Sequence, residues 1–343
     1  MTGPRVALIV QRALHHAGAS GYHQLARHLL EQGKAVESLP RFPRRGIWRL
    51  AEPIARRSGS RWYGPEACLA ECWAAAVTAW RHPLLHFLQG ENSYRYAAVI
   101  PGNPRRRLVA TFHLPPALLP EYVRDRRHLE RLDALVFVSR NQLALLDGMR
   151  RRPPAFVVPH GIDTGFYRPA DSPPDGRTCL MVGQWLRDFA ALEIVIARVR
   201  QRRPDCSFVL VLPADRASAW QGRPGVVVRS DLDDAALLRC YQEAALLLMP
   251  ISDCTANNAI LEAMACGVPL VVTDVGGIRD YADEACARLT APGDAAAMAG
   301  AVLGLLEEPA ARAALGRAAR LRAETFAWPR VVEQMLAVYE ALR

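Results

Sequence analysis

The sequence predicts an α/β protein of two doubly wound halves, and three observations carry that expectation. Apolar runs of about four to six residues alternate with helical patterns through both halves, as parallel strands joined by crossover helices do. A stretch rich in Pro, Gly and Asp interrupts the alternation at 160–177. A chain of 343 residues is long for one domain and suits two of about 150–170 residues, each with a sizeable core.

In order, 6–10 (Val-Ala-Leu-Ile-Val) reads as a buried strand, 22–32 as a helix stopped at Gly33, and 34–39 as a second strand. A helical pattern at 65–81 precedes apolar strands at 84–88, 108–112 and 134–138. The second half restarts at 178–182, with strands near 207–212 and 225–229. Two more apolar runs, 245–249 and 268–273, flank a short helix carrying Glu262 and ended by Gly267. The final segment, 326–343, enters through an aromatic residue and Pro329 and then shows helical apolar spacing. The expected boundaries are 1–158, 176–325 and a terminal helix at 326–343.

Composition narrows the class. Apolar residues make up 51% and charged residues 22%, which describes a globular protein; no apolar run reaches the roughly 18 residues that span a bilayer. The N-terminal apolar core is only a few residues long and reads as a first strand rather than a secretory signal, so a cytoplasmic location is expected. The eight cysteines contain no C-x-x-C pair, so neither a zinc site nor a redox motif is indicated and buried thiols are the default.

Charge is uneven. Residues 1–155 carry 24 Lys+Arg against 11 Asp+Glu, and Lys34 is the one lysine in the chain. Guanidinium groups suit bidentate contact with phosphate, so the first half should prefer anionic partners. In 41–64, Arg44, Arg45, Arg49, Arg56, Arg57 and Arg61 interleave with Phe42, Ile47, Trp48, Leu50, Ile54 and Trp62. That pattern fits a peripheral contact with an anionic membrane, and equally a solvated surface, since Pro53 breaks the periodicity. Nucleic acid is not expected, because no nucleic-acid-binding motif accompanies the charge.

The most informative stretch is 241–281, a strand, polar loop, helix, strand unit. In open α/β sheets ligands gather at the carboxyl edge of the strands, where helix N-termini and loop amides point outward. Glu262 lies among Ile260, Leu261, Met264 and Ala265, and carboxylates are rarely so placed without a partner. An ionised carboxylate can accept from both hydroxyls of a vicinal diol, so Glu262 is the candidate to read a ribose.

From Glu262 to Pro269 the segment closely resembles the signature of the family-4 retaining glycosyltransferases of the GT-B fold. In that signature two Glu residues eight positions apart grip a sugar nucleotide. Here Cys254 stands at the first Glu position, and Asp253, Asn257 and Asn258 are the polar groups available for the sugar. The resemblance implies two Rossmann-like domains facing across a cleft, acceptor mainly on the first, nucleotide on the second, and a last helix returning to the first. It implies transfer of a sugar from a nucleotide-diphosphate-sugar to an acceptor hydroxyl with retention, with cell-envelope or exopolysaccharide glycans, or lipid-linked acceptors, as family-level partners.

Other motifs take their roles from the same resemblance. Gly18 and Gly21 precede the first helix, where unobstructed amides approach a phosphate or the reacting sugar. His113, at a strand end before Pro115-Pro116, resembles the family's cleft histidine that contacts the donor sugar; His86 and Glu91 lie at an analogous strand end and are candidates to touch the acceptor. In 182–189, Gln184 replaces the usual first Arg, and Arg187 stands where the second cation is expected. A diphosphate gains charge as it leaves, so a guanidinium there favours the transition state. Gly276 and Gly277 would leave amides open to the same phosphates.

Asp163 reads as a turn cap, Ser139 as a helix cap, and Asp233 with Asp234 as a helix start; Asp231-Leu232-Asp233 is therefore not taken as a metal motif. No metal or other cofactor is expected. Two alternatives stay open: a sugar-nucleotide epimerase of the same fold, and a catalytically silent nucleotide-sugar-binding protein, the latter suggested by Cys254 and Gln184.

Overall fold

The computed structural model describes residues 5–10, 18–38, 44–58, 60, 62–123 and 126–343, without the side chains of 44–48 and 126. The chain divides into two compact units. One comprises Met1–His16, Tyr22–His160 and Trp328–Arg343; the other comprises Ala17–Gly21 and Gly161–Ala327.

Among the described residues the first unit holds a parallel sheet of β1 (Val6–Ile9), β2 (Ala35–Glu37), β3 (Leu84–Phe87), β4 (Arg107–Phe112), β5 (Ala134–Phe137) and β6 (Ala155–Val157). The strand order is β2-β1-β3-β4-β5-β6. Successive side chains alternate between faces. Ala7, Ile9, Leu85, Phe87, Phe112 and Phe137 therefore pack on one side with Ala74 and Ala75 of the Pro65–Ala76 helix. Val6, Leu8, Leu84, Val109 and Val136 pack on the other. That second face is covered by Leu25 and Leu29 of the His23–Glu31 helix, and by Val331, Val332 and Met335 of the C-terminal Trp328–Ala341 helix. Burial on both faces is why these strands read as continuous apolar runs.

The helix expected over 65–81 ends at Ala76, where Val77 (φ −116°) departs from helical geometry, and resumes as a 3-10 turn at Thr78–Trp80. The basic segment forms a helix, Arg44–Arg57, that accommodates Pro53. Arg41, Phe42 and Arg61 lie outside the described residues. Ser139 and Gln142 form a reciprocal capping box after β5.

The second unit's sheet joins β7 (Thr178–Val182), β8 (Ser207–Val211), β9 (Val226–Arg229), β10 (Leu246–Met249), β11 (Leu270–Thr273) and β12 (Ala287–Thr290). All pairings are parallel, in the order β12-β11-β10-β7-β8-β9. The Pro/Gly/Asp-rich segment is not a loose tether throughout. Ile162 pairs with Ala327, Tyr167 is fully buried in this unit's core, and Asp163 caps the turn between them through the amides of Gly165 and Phe166 (2.9 Å each). No helix among the described residues is long and apolar enough to cross a membrane.

Candidate functional site

The second sheet has its topological switch between β7 and β10. From β7 the chain moves outward through β8 and β9, then returns to lay β10, β11 and β12 on the other side. The carboxyl ends of the strands flanking such a reversal are where doubly wound sheets bind ligands. Here the loops leaving β7 and β10 are stitched together. Arg187 and Ile251 form an antiparallel bridge, the Asp188 amide donates to Pro250 O (2.9 Å), and the Ser252 amide donates to Leu186 O (3.0 Å).

Arg187 is thereby fixed at the switch point. Its guanidinium donates from Nε (3.1 Å) and Nη2 (2.7 Å) to Val182 O, and from Nη1 to Trp185 O (2.8 Å). Asp188 is not its partner: that carboxylate caps the Phe189–Arg202 helix through the Ala191 amide (2.9 Å). No carboxylate among the described residues pairs with Arg187, and burial pushes its pKa down to about 10. Gly183, at φ +81°, makes room for this geometry, since a Cβ there would stand 3.2 Å from Nη2. Gln184 is exposed and accepts the Arg187 amide through its backbone carbonyl (3.3 Å).

The loop after β10 meets the loop after β11. The Ile251 amide donates to Thr273 Oγ1 (3.1 Å), and the Gly277 amide to Cys254 O (2.9 Å). Gly276 has φ +56°, and a Cβ on it would fall 2.2 Å from Cys254 O and 2.4 Å from Asp253 Oδ1, so only glycine permits this approach. The amide of Gly277 is thus spent on the loop rather than presented outward. Cys254 is buried, with its thiol pKa pushed up to about 12 by burial. The half-buried Asp253 accepts the Cys254 amide (2.7 Å), and burial raises its carboxyl.

Asn257 caps the Asn258–Ala265 helix through Ile260 N (3.4 Å), leaving Asn258 as the helix's first residue. One turn on, Glu262 is only 3% exposed. Its Oε2 accepts the Tyr241 phenol (2.7 Å). Burial raises its pKa, opposed first by a hydrogen bond from the Ser20 side chain and then by that from Tyr241. Tyr241 also acts electrostatically on Arg187.

Sequence reasoning missed Tyr241, Ser20 and Asp234. Asp233 caps the Asp234–Glu243 helix through Ala236 N (2.7 Å), but Asp234 does something else. Its carboxylate accepts the amides of Gly18 (3.2 Å) and Ala19 (2.8 Å), drawing residues 18–21 into the second unit. A Cβ at Gly18 would lie 2.8 Å from Asp234 Oδ2. The glycine expected to open an amide to phosphate thus admits a protein carboxylate in this state. Gly21 is buried at φ +110° and serves the turn.

In the first unit, His113 follows β4. Its ring stacks on Tyr22 at 3.8 Å, and Nε2 lies 2.7 Å from Leu88 O, which makes Nε2 the protonated nitrogen and Nδ1 an acceptor. Burial lowers its pKa. The Glu91 carboxylate accepts the amides of His113 and Leu114, fastening that turn rather than facing an acceptor. His86 is fully buried between Tyr339 OH (2.6 Å) and Thr111 Oγ1 (2.7 Å), so the suggestion that it touches acceptor is corrected to a core role. Among the described residues no group of three His, Cys, Asp or Glu side chains is arranged to hold a metal.

Two parallel Rossmann-like sheets in these strand orders define the class as a GT-B fold. Sucrose-phosphate synthase from Thermosynechococcus elongatus superposes with a TM-score of 0.71 over 98% of both chains at 18% identity. Anabaena HepE, crystallised with UDP-glucose, does so at 0.69 over 98% of this chain and 99% of its own at 16% identity. Residues 176–308 match the family model for glycosyl transferases group 1. That match lies within the second unit and includes the segment whose signature resembled the family-4 glycosyltransferases. Among curated relatives, the D-inositol 3-phosphate glycosyltransferase of Arthrobacter sp. (strain FB24) is 28% identical over 54% of this chain and 49% of its own length. That of Acidothermus cellulolyticus is 27% identical over 78% of this chain and 64% of its own. The chain thus spans about half to two thirds of the length of these relatives.

Proposed function

We propose that the protein transfers a sugar from a nucleotide-diphosphate-sugar to an acceptor hydroxyl with retention, in glycan synthesis of the cell envelope or exopolysaccharide. The observation that carries this is Arg187. It is a cation held at the switch point by backbone carbonyls alone, with no carboxylate partner among the described residues. Its remaining N–H donors suit an anionic ligand, and a diphosphate is the anion that gains charge as it departs.

In this reading the anomeric carbon–oxygen bond breaks with its electron pair going to the diphosphate. The acceptor oxygen bonds to the same face of the anomeric carbon, and its proton ends on a phosphate oxygen or in solvent. Arg187 bears the leaving group's charge without a resident metal. Glu262 reads the ribose, and Asp253 and the Asn257–Asn258 turn serve the sugar in place of the absent first Glu. A peripheral contact with anionic lipid is part of the proposal. Leu50 (74% exposed) and Ile54 (44% exposed) share a helix with Arg49, Arg56 and Arg57, the mixture that favours a headgroup interface.

Cys254 favours a second reading. A buried thiol where the signature has a carboxylate suits a protein that binds nucleotide-sugars without transferring them. One assay separates the readings: incubation with uridine, guanosine and adenosine diphosphate sugars, scored for released nucleoside diphosphate. Transfer or slow hydrolysis releases it. A silent binder, and equally an epimerase, does not.

A further inference from the structure

Glu262 does not meet its surroundings alone. Tyr241, fully buried on the Asp234–Glu243 helix, donates its phenol to Oε2 at 2.7 Å. The Tyr241 ring is wedged edge-on against Tyr167 (centroids 6.1 Å apart, 81° between planes). A phenol so packed keeps one orientation. Two further hydroxyls, those of Tyr167 and Ser20, favour the charged carboxylate; Ser20 sits on the short 18–21 loop and is an aliphatic hydroxyl like those of a ribose.

Resting on the ribose-reading role of Glu262, we propose that Tyr241 is a positioning residue for nucleotide recognition. It fixes one carboxylate oxygen of Glu262 so that the other exchanges the Ser20 hydroxyl for a ribose hydroxyl. The physical reason is the cost of a buried charge. An ionised carboxyl with few partners reverts toward its protonated form, which no longer accepts from two ligand hydroxyls. A donor that cannot swing away holds the carboxylate both charged and oriented. A site built on hydrogen bonds to a hydroxyl rejects the analogue lacking it, because the protein group is then left unpaired.

The test is isothermal titration of the full chain with UDP and with 2′-deoxy-UDP. Where another base binds better, the ribo and deoxy pair of GDP or ADP replaces it. Wild type should prefer the ribonucleotide by about tenfold or more. Tyr241→Phe removes one oxygen and keeps the ring, so the protein should remain folded by circular dichroism while the ribo/deoxy ratio falls toward one, as it should in Glu262→Gln. If Tyr241→Phe keeps the wild-type ratio, the phenol is merely a satisfied core group and the inference is overturned, with the Glu262 reading intact. A wild-type ratio near one, or binding of none of the nucleotides, overturns the Glu262 reading itself.

Discussion

Arg187→Ala is the perturbation from which the site has most to lose. The wild-type guanidinium spends three N–H groups on two carbonyls and remains protonated near neutral pH, because burial lowers its pKa only to about 10. Two effects follow from deleting it. Val182 O and Trp185 O lose charged donors, which costs about 1–3 kcal/mol of stability if water cannot replace them. The departing diphosphate loses a fixed donor, which by analogy with oxyanion donors costs about 10²–10³ in kcat, or about 2.7–4 kcal/mol. These separate experimentally: thermal melting reads the first, and release of nucleoside diphosphate at saturating donor reads the second. Nucleotide affinity should change far less than kcat, since the interaction grows as charge develops on the leaving group. Arg187→Lys keeps the charge but cannot span both carbonyls and a phosphate, so it should fall between. A kcat for Arg187→Ala within about threefold of wild type, with only the melting temperature lowered, would show the residue to be a loop brace and refute the assignment.

Three further outcomes test the scaffold. Glu71, fully buried and bonded to Tyr63 OH and to the amides of Tyr96 and Ala97, has its pKa raised by burial from 4.5 to about 8. The unfolded chain releases that proton first, so stability should decline as pH rises between about 4.5 and about 8. In Glu71→Gln that decline should flatten in denaturant titrations, and unchanged pH dependence would contradict the assignment. Gly276→Ala must push a Cβ into Cys254 O at a positive φ; the melting temperature and nucleotide affinity should both fall, and a neutral result would mean that the Cys254–Gly276 apposition is not maintained in solution. Tyr339→Phe strips the bond to His86 Nδ1 and should cost about 1–3 kcal/mol of stability with KM unchanged; a shift in KM would instead return His86 to the binding machinery.

Much of the framework was legible because strand burial leaves a local mark. β7 coincides with the apolar run 178–182, and β1, β3, β5 and β10 lie within a residue of theirs, since both sheet faces are covered and each strand reads as unbroken apolar sequence. β12, Ala287–Thr290, escaped because only its end residues are buried, and the exposed Arg288 dilutes the apolar run at a sheet edge. The contacts that define the site were less visible. Asp234 reaches Gly18 and Ala19 across more than 200 positions. As a helix-start Asp it carries the sequence signature of a cap, a role its neighbour Asp233 takes instead. Tyr241 ends an apolar helix face and looks like core; only the position of Glu262 distinguishes it from any other buried tyrosine.

The distribution of satisfied and unsatisfied charge separates the two ends of the candidate donor site. At the Glu262 end the negative group is balanced by hydroxyls, those of Ser20, Tyr241 and Tyr167, so a ligand that binds there must supply hydroxyls in exchange. At the Arg187 end the positive group is met only by carbonyl dipoles, so a ligand there must supply negative charge. A molecule with a diol at one end and a bridging anion beyond it satisfies both, and a nucleoside diphosphate is such a molecule. Asp234 fits the same logic from the protein's side. Its carboxylate occupies the amides of Gly18 and Ala19, showing that this loop accepts an anion even where the anion is the protein's own.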